Sequence, residues 1–213
     1  IGRRMELLNW ASEKDGRYLI EDDYDSEFRY KGKPIPALQA SDRNGKVIYM
    51  GTFSKSIAPA IRVSFMVLPK ALLSRYEETC GFLSCTVSRI DQKILNCFIA
   101  EGHYERYLNK MRKVYKGKHD VLLQALETLD NRFEVFGENA GLHILLKSRN
   151  AESASKLREV AKHQGIQLQI IEDYAIARDA HNNEDAEILI GYGSLSEDKI
   201  KEGIYRLKET WSL

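Results

Sequence analysis

Reactive side chains follow apolar segments in the first third of this chain. Lys55 comes after the apolar run that ends at Met50 and is surrounded by small and hydroxylated residues, among them Thr52 and Ser54. An amine presented in this way can condense with an aldehyde. Arg62 follows seven positions later. An arginine with nearby hydroxyls suits a phosphate group, because guanidinium binds phosphate bidentately and keeps its charge.

A second group, Glu-Asp-Asp-Tyr-Asp at positions 21–25, places acids and a phenol at the end of another apolar run. Asp22 is suited to face a protonated ring nitrogen, since a nearby opposite charge favours the charged form. Tyr24 lies two residues later, on the same side of an extended segment, where its hydroxyl can donate to a phenolic oxygen. An aldehyde, a pyridine nitrogen, a phenolic oxygen and a phosphate together make pyridoxal 5′-phosphate (PLP). The residue set therefore predicts a PLP site.

Each of these signals is weak by itself. Most lysines that follow a strand are solvated surface residues, and an acidic run is more often a turn or a helix cap. Their order along the chain favours the site. An acid stands at one strand end, a lysine at a later strand end, and an arginine at the start of a third apolar run.

Residues 20–68 carry the motifs Glu-Asp-Asp-Tyr-Asp-Ser-Glu-Phe and Tyr-Met-Gly-Thr-Phe-Ser-Lys-Ser. This stretch resembles the aminotransferase-like domain of the MocR/GabR family of GntR-type bacterial transcription regulators, and the similarity covers nearly the whole chain. The resemblance implies a fold-type I PLP architecture. In it Lys55 forms the Schiff base and Arg62 binds the phosphate, while Asp22 and Tyr24 face the ring nitrogen and the phenolic oxygen.

The expected fold class is α/β: part of a fold-type I PLP-dependent aminotransferase large domain, followed by a small α+β C-terminal domain. Apolar positions that recur every three or four residues from Tyr104 to Leu129 predict a long helix linking the two. We expect residues 1–103 to be the C-terminal half of the large domain, residues 104–130 to be the linking helix, and residues 131–213 to be the small α+β domain.

Hydrophobic patterning and turn residues also locate the other elements. Short apolar runs predict buried strands at 17–21, 46–50 and 63–68, with an irregular loop over 22–44. Further strands are expected at 133–136, 142–147, 166–171 and 187–192, with an irregular stretch at 173–185. Helices are expected at 69–83, 88–101, 151–163 and 197–211.

Composition narrows the class of protein. With 213 residues, 43% of them apolar, the chain can bury a substantial core. The net charge is +1, with acids and bases intermixed, so no concentrated basic face is indicated and DNA contact is expected from a module outside this chain. The sequence shows neither a membrane span nor a leader, so the cytoplasm is expected. Three irregularly spaced cysteines predict neither a disulfide framework nor a metal site.

The chain begins at Ile1, without an initiator methionine, and moves at once into an amphipathic stretch. From the family pattern we expect a winged helix-turn-helix module, a linker and the first half of the large domain upstream. That half would supply part of the cofactor's cradle, so we expect these 213 residues alone to bind PLP weakly or not at all. By the same resemblance, the intact protein is expected to be a homodimer.

One position departs from the family pattern. Catalytic fold-type I transaminases hold the substrate carboxylate with an arginine near the last strand of the small domain. The GABA-responsive family member has arginine where Ser194 stands in this chain. Arg178 or a residue upstream of Ile1 is the candidate replacement, although arginines such as Arg178 are mostly exposed. His143 lies on a strand that could face the cleft, but its neighbours favour a packed structural histidine.

Three functions stay open on the sequence. The first is a PLP-binding, effector-sensing domain of a transcription regulator, with an amine, an amino acid or PLP itself as effector and DNA bound through the upstream module. The second is a catalytically active class I/II aminotransferase, in which Lys55 moves the proton at the substrate Cα. The third is an interaction domain that has lost its affinity for the cofactor.

Overall fold

The computed structural model describes residues 2–129, 132–149, 153–174 and 186–211. The chain divides into two compact units. The first unit is Ile1–Glu27 with Lys33–Asn109, and the second unit is Phe28–Gly32 with Lys110–Leu213. Among the described residues, no helix is both long enough and apolar enough to cross a membrane.

The first unit combines helices with a three-stranded sheet. Its helices are α1 (Gly2–Ser12), α2 (Leu38–Ser41), α3 (Phe53–Ser56), α4 (Lys70–Cys80), α5 (Arg89–Ala100) and the first turns of α6 (His103–Leu126), and a 3-10 turn spans Pro59–Ile61. Its strands are β1 (Leu19–Asp23), β2 (Val47–Thr52) and β3 (Ser64–Val67), in the order β1-β2-β3. β1 and β2 are parallel, and β3 runs antiparallel to β2.

Little of the first unit is buried. Among its described residues, the central cluster consists of Leu8, Leu38 and Val47. All four residues of β3 are exposed, so the prediction of a buried strand there was wrong. The apolar run is real, but Phe65, Met66 and Val67 each keep more than 40% of their surface exposed.

The second unit is a four-stranded antiparallel sheet with helices. Its strands are β4 (Phe133–Phe136), β5 (His143–Ser148), β6 (Gln169–Ile170) and β7 (Glu187–Gly191), in the order β4-β5-β7-β6. Its helices are the rest of α6, α7 (Ala154–His163) and α8 (Glu197–Trp211), with 3-10 turns at Glu127–Leu129 and Ile171–Tyr174.

A large apolar core holds the second unit together. β5 alternates between half-buried and buried positions, as a strand does when one face packs on helices. Its inner residues Ile144 and Leu146 meet Ile188 of β7 and apolar positions of all three helices. Trp211 closes one end of this core, and its indole nitrogen donates to the carbonyl of Leu157, 3.2 Å away.

The segment Phe28–Gly32 joins the second unit although it lies between elements of the first. The amide of Gly141 donates to the carbonyl of Phe28 at 2.8 Å, and the amide of Tyr30 donates to Asn139 at 2.9 Å. The Tyr30 hydroxyl also donates to the Gly141 carbonyl at 3.0 Å. Sequence reasoning treated this segment only as loop.

The expected elements agree with the structure to within three residues at each end. The loop predicted over 22–44 contains the short helix α2, whose first amide groups donate to Glu21. Residues 151–152, at the start of the helix expected over 151–163, and residues 175–185 lie outside the described residues. The expected boundaries at 103 and 130 stay a prediction.

Candidate functional site

Lys55 lies in a short loop whose two ends are joined. β2 leads directly into α3, and Thr52 caps that helix by accepting from the amide of Ser54 at 3.2 Å. At the other end of the loop, the carbonyl of Val63 accepts from the Phe53 amide at 2.9 Å and from the Thr52 hydroxyl at 3.2 Å. Thr52 also pairs with the first residue of β3. We call residues 52–63 the lysine loop.

Further contacts hold the backbone of the lysine loop in place. The hydroxyl of Tyr107 donates to the Ile57 carbonyl at 2.8 Å, and Ser56 is almost fully buried. Lys55 itself is exposed, and within the described part of the chain its amine forms no hydrogen bond or ion pair. The loop therefore presents a free amine on a fixed backbone.

Arg62 occupies the other end of the lysine loop in an unusual conformation. Its φ of 50° and ψ of 37° lie in the left-handed region. Among the described residues, Arg62 is the single non-glycine residue with a positive φ. A side chain in this region costs on the order of 1–2 kcal/mol. The guanidinium is exposed and has no ion-pair partner among the described residues. Strain of this kind concentrates at ligand sites, which makes Arg62 a strong candidate to bind an anion.

The three acids of β1 have different roles. Glu21 accepts from the amides of Leu38 and Gln39 at 2.5 and 2.9 Å and so caps α2. Asp23 accepts from the hydroxyls of Tyr49 and Ser26, both at 2.9 Å. Asp22 points to the opposite side of the strand, is exposed, and has no hydrogen bond within the described residues. Of the three carboxylates, Asp22 is the one available to a ligand.

Strand register brings Asp22 to the same end of the sheet as the lysine loop. Asp22 pairs with Met50, two residues before Thr52, on adjacent parallel strands. The carboxyl ends of parallel strands are where α/β folds commonly bind ligands. The structure thus gathers Asp22, Lys55 and Arg62 at one edge of the first unit.

Tyr24 lies one residue past the end of β1, in a bend rather than on the extended segment that we expected. The negative charge of Asp25, together with partial burial and the charge of Asp22, raises the pKa of Tyr24 above its ordinary value. The phenol therefore keeps its proton at neutral pH and remains a hydrogen-bond donor.

Sequence reasoning missed the environment of Tyr49, which lies on the face of the sheet opposite Asp22. Burial, followed by its hydrogen bond to Asp23, raises the pKa of Tyr49 strongly. The Phe65 ring lies between Tyr49 and Phe53, with centroid distances of 6.1 and 5.4 Å. A Cβ at position 51 would be 2.5 Å from that ring, so only glycine lets Phe65 cover β2 there. The position of Tyr49 in the sequence does not reveal its contacts with Asp23 and Phe65.

The second unit holds the position that departs from the family pattern. Ser194 is exposed, just after β7. The His143 ring packs on the facing strand, 3.1 Å from where a Cβ of Gly191 would be, which agrees with a packed structural role. Arg178 lies outside the described residues.

The side chains at the lysine loop match the groups of PLP in chemistry. A free amine, an unpaired carboxylate, a protonated phenol and a free guanidinium are each present, and Ser54 adds a half-buried hydroxyl. The Thr52 hydroxyl already donates within the loop, so its direct contact with the cofactor stays a prediction.

Known proteins match this chain over almost its whole length. The family model for aminotransferase class I and II matches residues 5–202. The uncharacterized HTH-type transcriptional regulator YhdI of Bacillus subtilis is 43% identical over 213 residues, which are 100% of this chain and 44% of that protein. The probable rhizopine catabolism regulatory protein MocR of Rhizobium meliloti is 29% identical over 98% of this chain and 41% of its own length. These relatives confirm the resemblance to MocR-type regulators, and the chain spans less than half of their length.

A solved structure confirms the fold class. Kynurenine aminotransferase of Pyrococcus horikoshii, determined in complex with PMP, KYN as substrates and KYA as products, superimposes with a TM-score of 0.87 at 31% identity. The match covers 99% of this chain and 51% of the enzyme. By fold and by sequence, the chain belongs to the aminotransferase class I and II family.

Proposed function

We propose that this chain is the PLP-binding, effector-sensing domain of a bacterial MocR-type transcription regulator. The relatives named above support the regulator assignment. The observation that carries the PLP assignment is the set of unpaired side chains around the lysine loop. Lys55, Arg62 and Asp22 have no partner among the described residues, although they lie on a backbone fixed by hydrogen bonds.

Each residue would hold one part of the cofactor. The Lys55 amine would face the aldehyde, and the Asp22 carboxylate would keep the ring nitrogen protonated. The Tyr24 hydroxyl would donate to the phenolic oxygen, since its raised pKa keeps the proton in place. Arg62 and Ser54 would bind the phosphate, and Thr52 is predicted to contact it as well. When bound, PLP supplies an electron sink for chemistry at the Cα of an amino acid.

Regulation requires more than binding. An effector shifts a conformational equilibrium only if it binds one conformation better than the other. We propose an amine or an amino acid as effector, DNA as the partner of an upstream winged-helix module, and a homodimer as the working assembly. Such a regulator would act in the cytoplasm, where bacterial DNA lies.

The test uses the complete gene product and a duplex from upstream of its own coding sequence. PLP absorbance and DNA affinity are measured with and without amino acids, for wild type, Lys55→Ala and Lys70→Ala. Lys70 is an exposed lysine of α4 and serves as the matched control. We expect Lys55→Ala to remove both the cofactor band and the response to amino acids, and Lys70→Ala to keep both. A wild-type protein whose DNA affinity ignores PLP and every amino acid would overturn the sensor assignment.

A catalytically active aminotransferase is the second candidate, supported by the likeness to the Pyrococcus horikoshii enzyme. Ser194 weighs against it, because a serine cannot pair with a substrate carboxylate as an arginine does. Turnover of an amino donor with an oxo-acid acceptor at about 1 per second or faster would favour the enzyme.

A further inference from the structure

The middle of α6 carries an uninterrupted basic stretch. Residues 110–118 read Lys-Met-Arg-Lys-Val-Tyr-Lys-Gly-Lys, with five basic side chains and no acid among nine residues. We call these nine residues the basic segment. The whole chain has a net charge of only +1, so the overall balance hides this local excess. The sequence-based expectation of no concentrated basic face rested on the charge balance of the whole chain.

The basic segment has a fixed orientation within the second unit. Tyr115 turns inward and meets the Phe28 ring edge-on, with centroids 4.9 Å apart. One turn further along, His119 is almost fully buried against Tyr30 and Tyr192. The other side of the helix, which carries most of the charge, therefore faces solvent.

Three lysines form the exposed ridge of the basic segment. Lys110, Lys113 and Lys116 are exposed, three residues apart, and form no ion pair with any described residue. Lys118 is half-buried and donates to the Gly193 carbonyl at 2.8 Å. The carboxylate of Glu197 approaches the helix at Gly117, yet it does not pair with the three lysines.

This arrangement differs from an ordinary solvated helix face. The three lysines are like charges that repeat at intervals of three residues. Like charges at these spacings destabilise a helix. By contrast, α8 mixes its signs and contains an ion pair between Arg206 and Glu202. The basic segment thus keeps a locally unfavourable charge pattern in the middle of a long helix, which points to a polyanionic partner.

We infer that the basic segment is a sequence-independent contact for the phosphate backbone of duplex DNA. The inference rests on the proposed regulator function, which brings DNA to this protein. Lys110 and Lys116 are about 9 Å apart along the helix axis, at 1.5 Å per residue. One DNA strand advances by about 3.4 Å along the duplex axis for each phosphate. The ridge is therefore long enough for its lysines to reach more than one phosphate of a strand.

The test is the salt dependence of DNA binding by the complete gene product. The probe is a fluorescent mixed-sequence duplex about four helical turns long, and anisotropy is read over a series of KCl concentrations. The variant changes Lys110, Lys113 and Lys116 to Gln. The matched control changes Lys162, Lys199 and Lys201 to Gln, which are exposed lysines of α7 and α8.

We expect the ridge variant to bind more weakly, with a log K against log salt slope that is shallower by about 0.9 for each phosphate that the variant no longer neutralises. The control should keep the wild-type slope, and all three proteins should melt at similar temperatures. If the ridge variant keeps the wild-type slope, the inference is overturned. An unchanged slope is also the result expected if the ridge binds an acidic protein surface instead of DNA. If the wild-type protein binds neither this duplex nor the one from upstream of its gene, the proposed function fails with it.

Discussion

The two units of this chain contain the same kinds of residue but bury them very differently. The second unit packs the apolar residues of four strands and three helices into one cluster, where Leu146 and Ile188 have no exposed surface. In the first unit, Phe82 is 80% exposed and Ile90 is 74% exposed. Large exposed apolar patches usually mark surfaces that contact other protein. The unit that carries the candidate site is therefore the one with the smaller core.

The difference shows that a strand's sequence does not decide its burial. β5 and β3 are both apolar runs with β-branched or aromatic residues, and both form strands. β5 has helices against one face, whereas β3 is exposed along its full length. Burial depends on neighbours supplied from elsewhere, which agrees with a chain that spans less than half of its relatives.

The largest effect is expected in the core of the second unit. Leu146→Ala removes a fully buried side chain and leaves a cavity, which costs about 2–5 kcal/mol. Denaturant unfolding of the chain followed by circular dichroism measures this loss. A cost below about 1 kcal/mol would mean that the second unit is as loosely packed as the first.

A smaller effect is expected at Tyr49 in the first unit. Tyr49→Phe removes the hydrogen bond to Asp23 and should cost about 1 kcal/mol at pH 8. The folded state holds the Tyr49 proton above the ordinary tyrosine pKa of about 10. The stabilisation is therefore complete below pH 10 and declines as the pH rises further.

Thermal melts of wild type and Tyr49→Phe across this pH range test the linkage. The gap between the two melting temperatures should narrow above about pH 10, because the unfolded tyrosine ionises there while the folded state still holds the proton. A gap that stays constant with pH would show that the hydroxyl is not protected by the fold.

Arg62 allows backbone strain to be separated from ligand binding. Arg62→Gly removes the side chain and accepts the left-handed backbone, whereas Arg62→Ala removes the side chain and keeps the strain. The glycine variant should be more stable than the alanine variant by about 1 kcal/mol, and both should lose affinity for PLP in the complete gene product. Equal stability of the two variants would show that position 62 is not strained.

The smallest effect is expected on the exposed face of α5. Ile94→Gln should change the free energy of unfolding by less than about 0.5 kcal/mol, because Ile94 is already exposed. Leu95→Gln is the matched control, since the next residue is the buried one of this helix and its loss should cost about 2 kcal/mol or more. If both changes cost the same, the contrast between the exposed and buried faces of α5 is wrong.

Much of this architecture follows from local pattern. The apolar period of α6 and the alternation of β5 fix their element type, so the sequence locates both correctly. The candidate site was also predicted in outline, because Asp22 and Lys55 each follow a strand and parallel strands place such residues at the same edge.

Other features depend on contacts between distant residues, and no local pattern reveals them. The left-handed backbone of Arg62 follows from closing the lysine loop onto Val63. The assignment of Phe28–Gly32 to the second unit depends on hydrogen bonds to residues more than a hundred positions away. The sequence assigns the ring-nitrogen role to Asp22, but the hydrogen bond from Tyr49 that occupies Asp23 depends on strand pairing.

Trapping of the cofactor tests the central claim most directly. The complete gene product is incubated with PLP, reduced with borohydride, digested and analysed by peptide mass spectrometry. We predict a pyridoxyl group on the peptide that contains Lys55, and much less of it in Asp22→Asn, since the carboxylate supports cofactor binding. Modification of a different lysine, or none at all, would contradict the assignment of this loop as the PLP site.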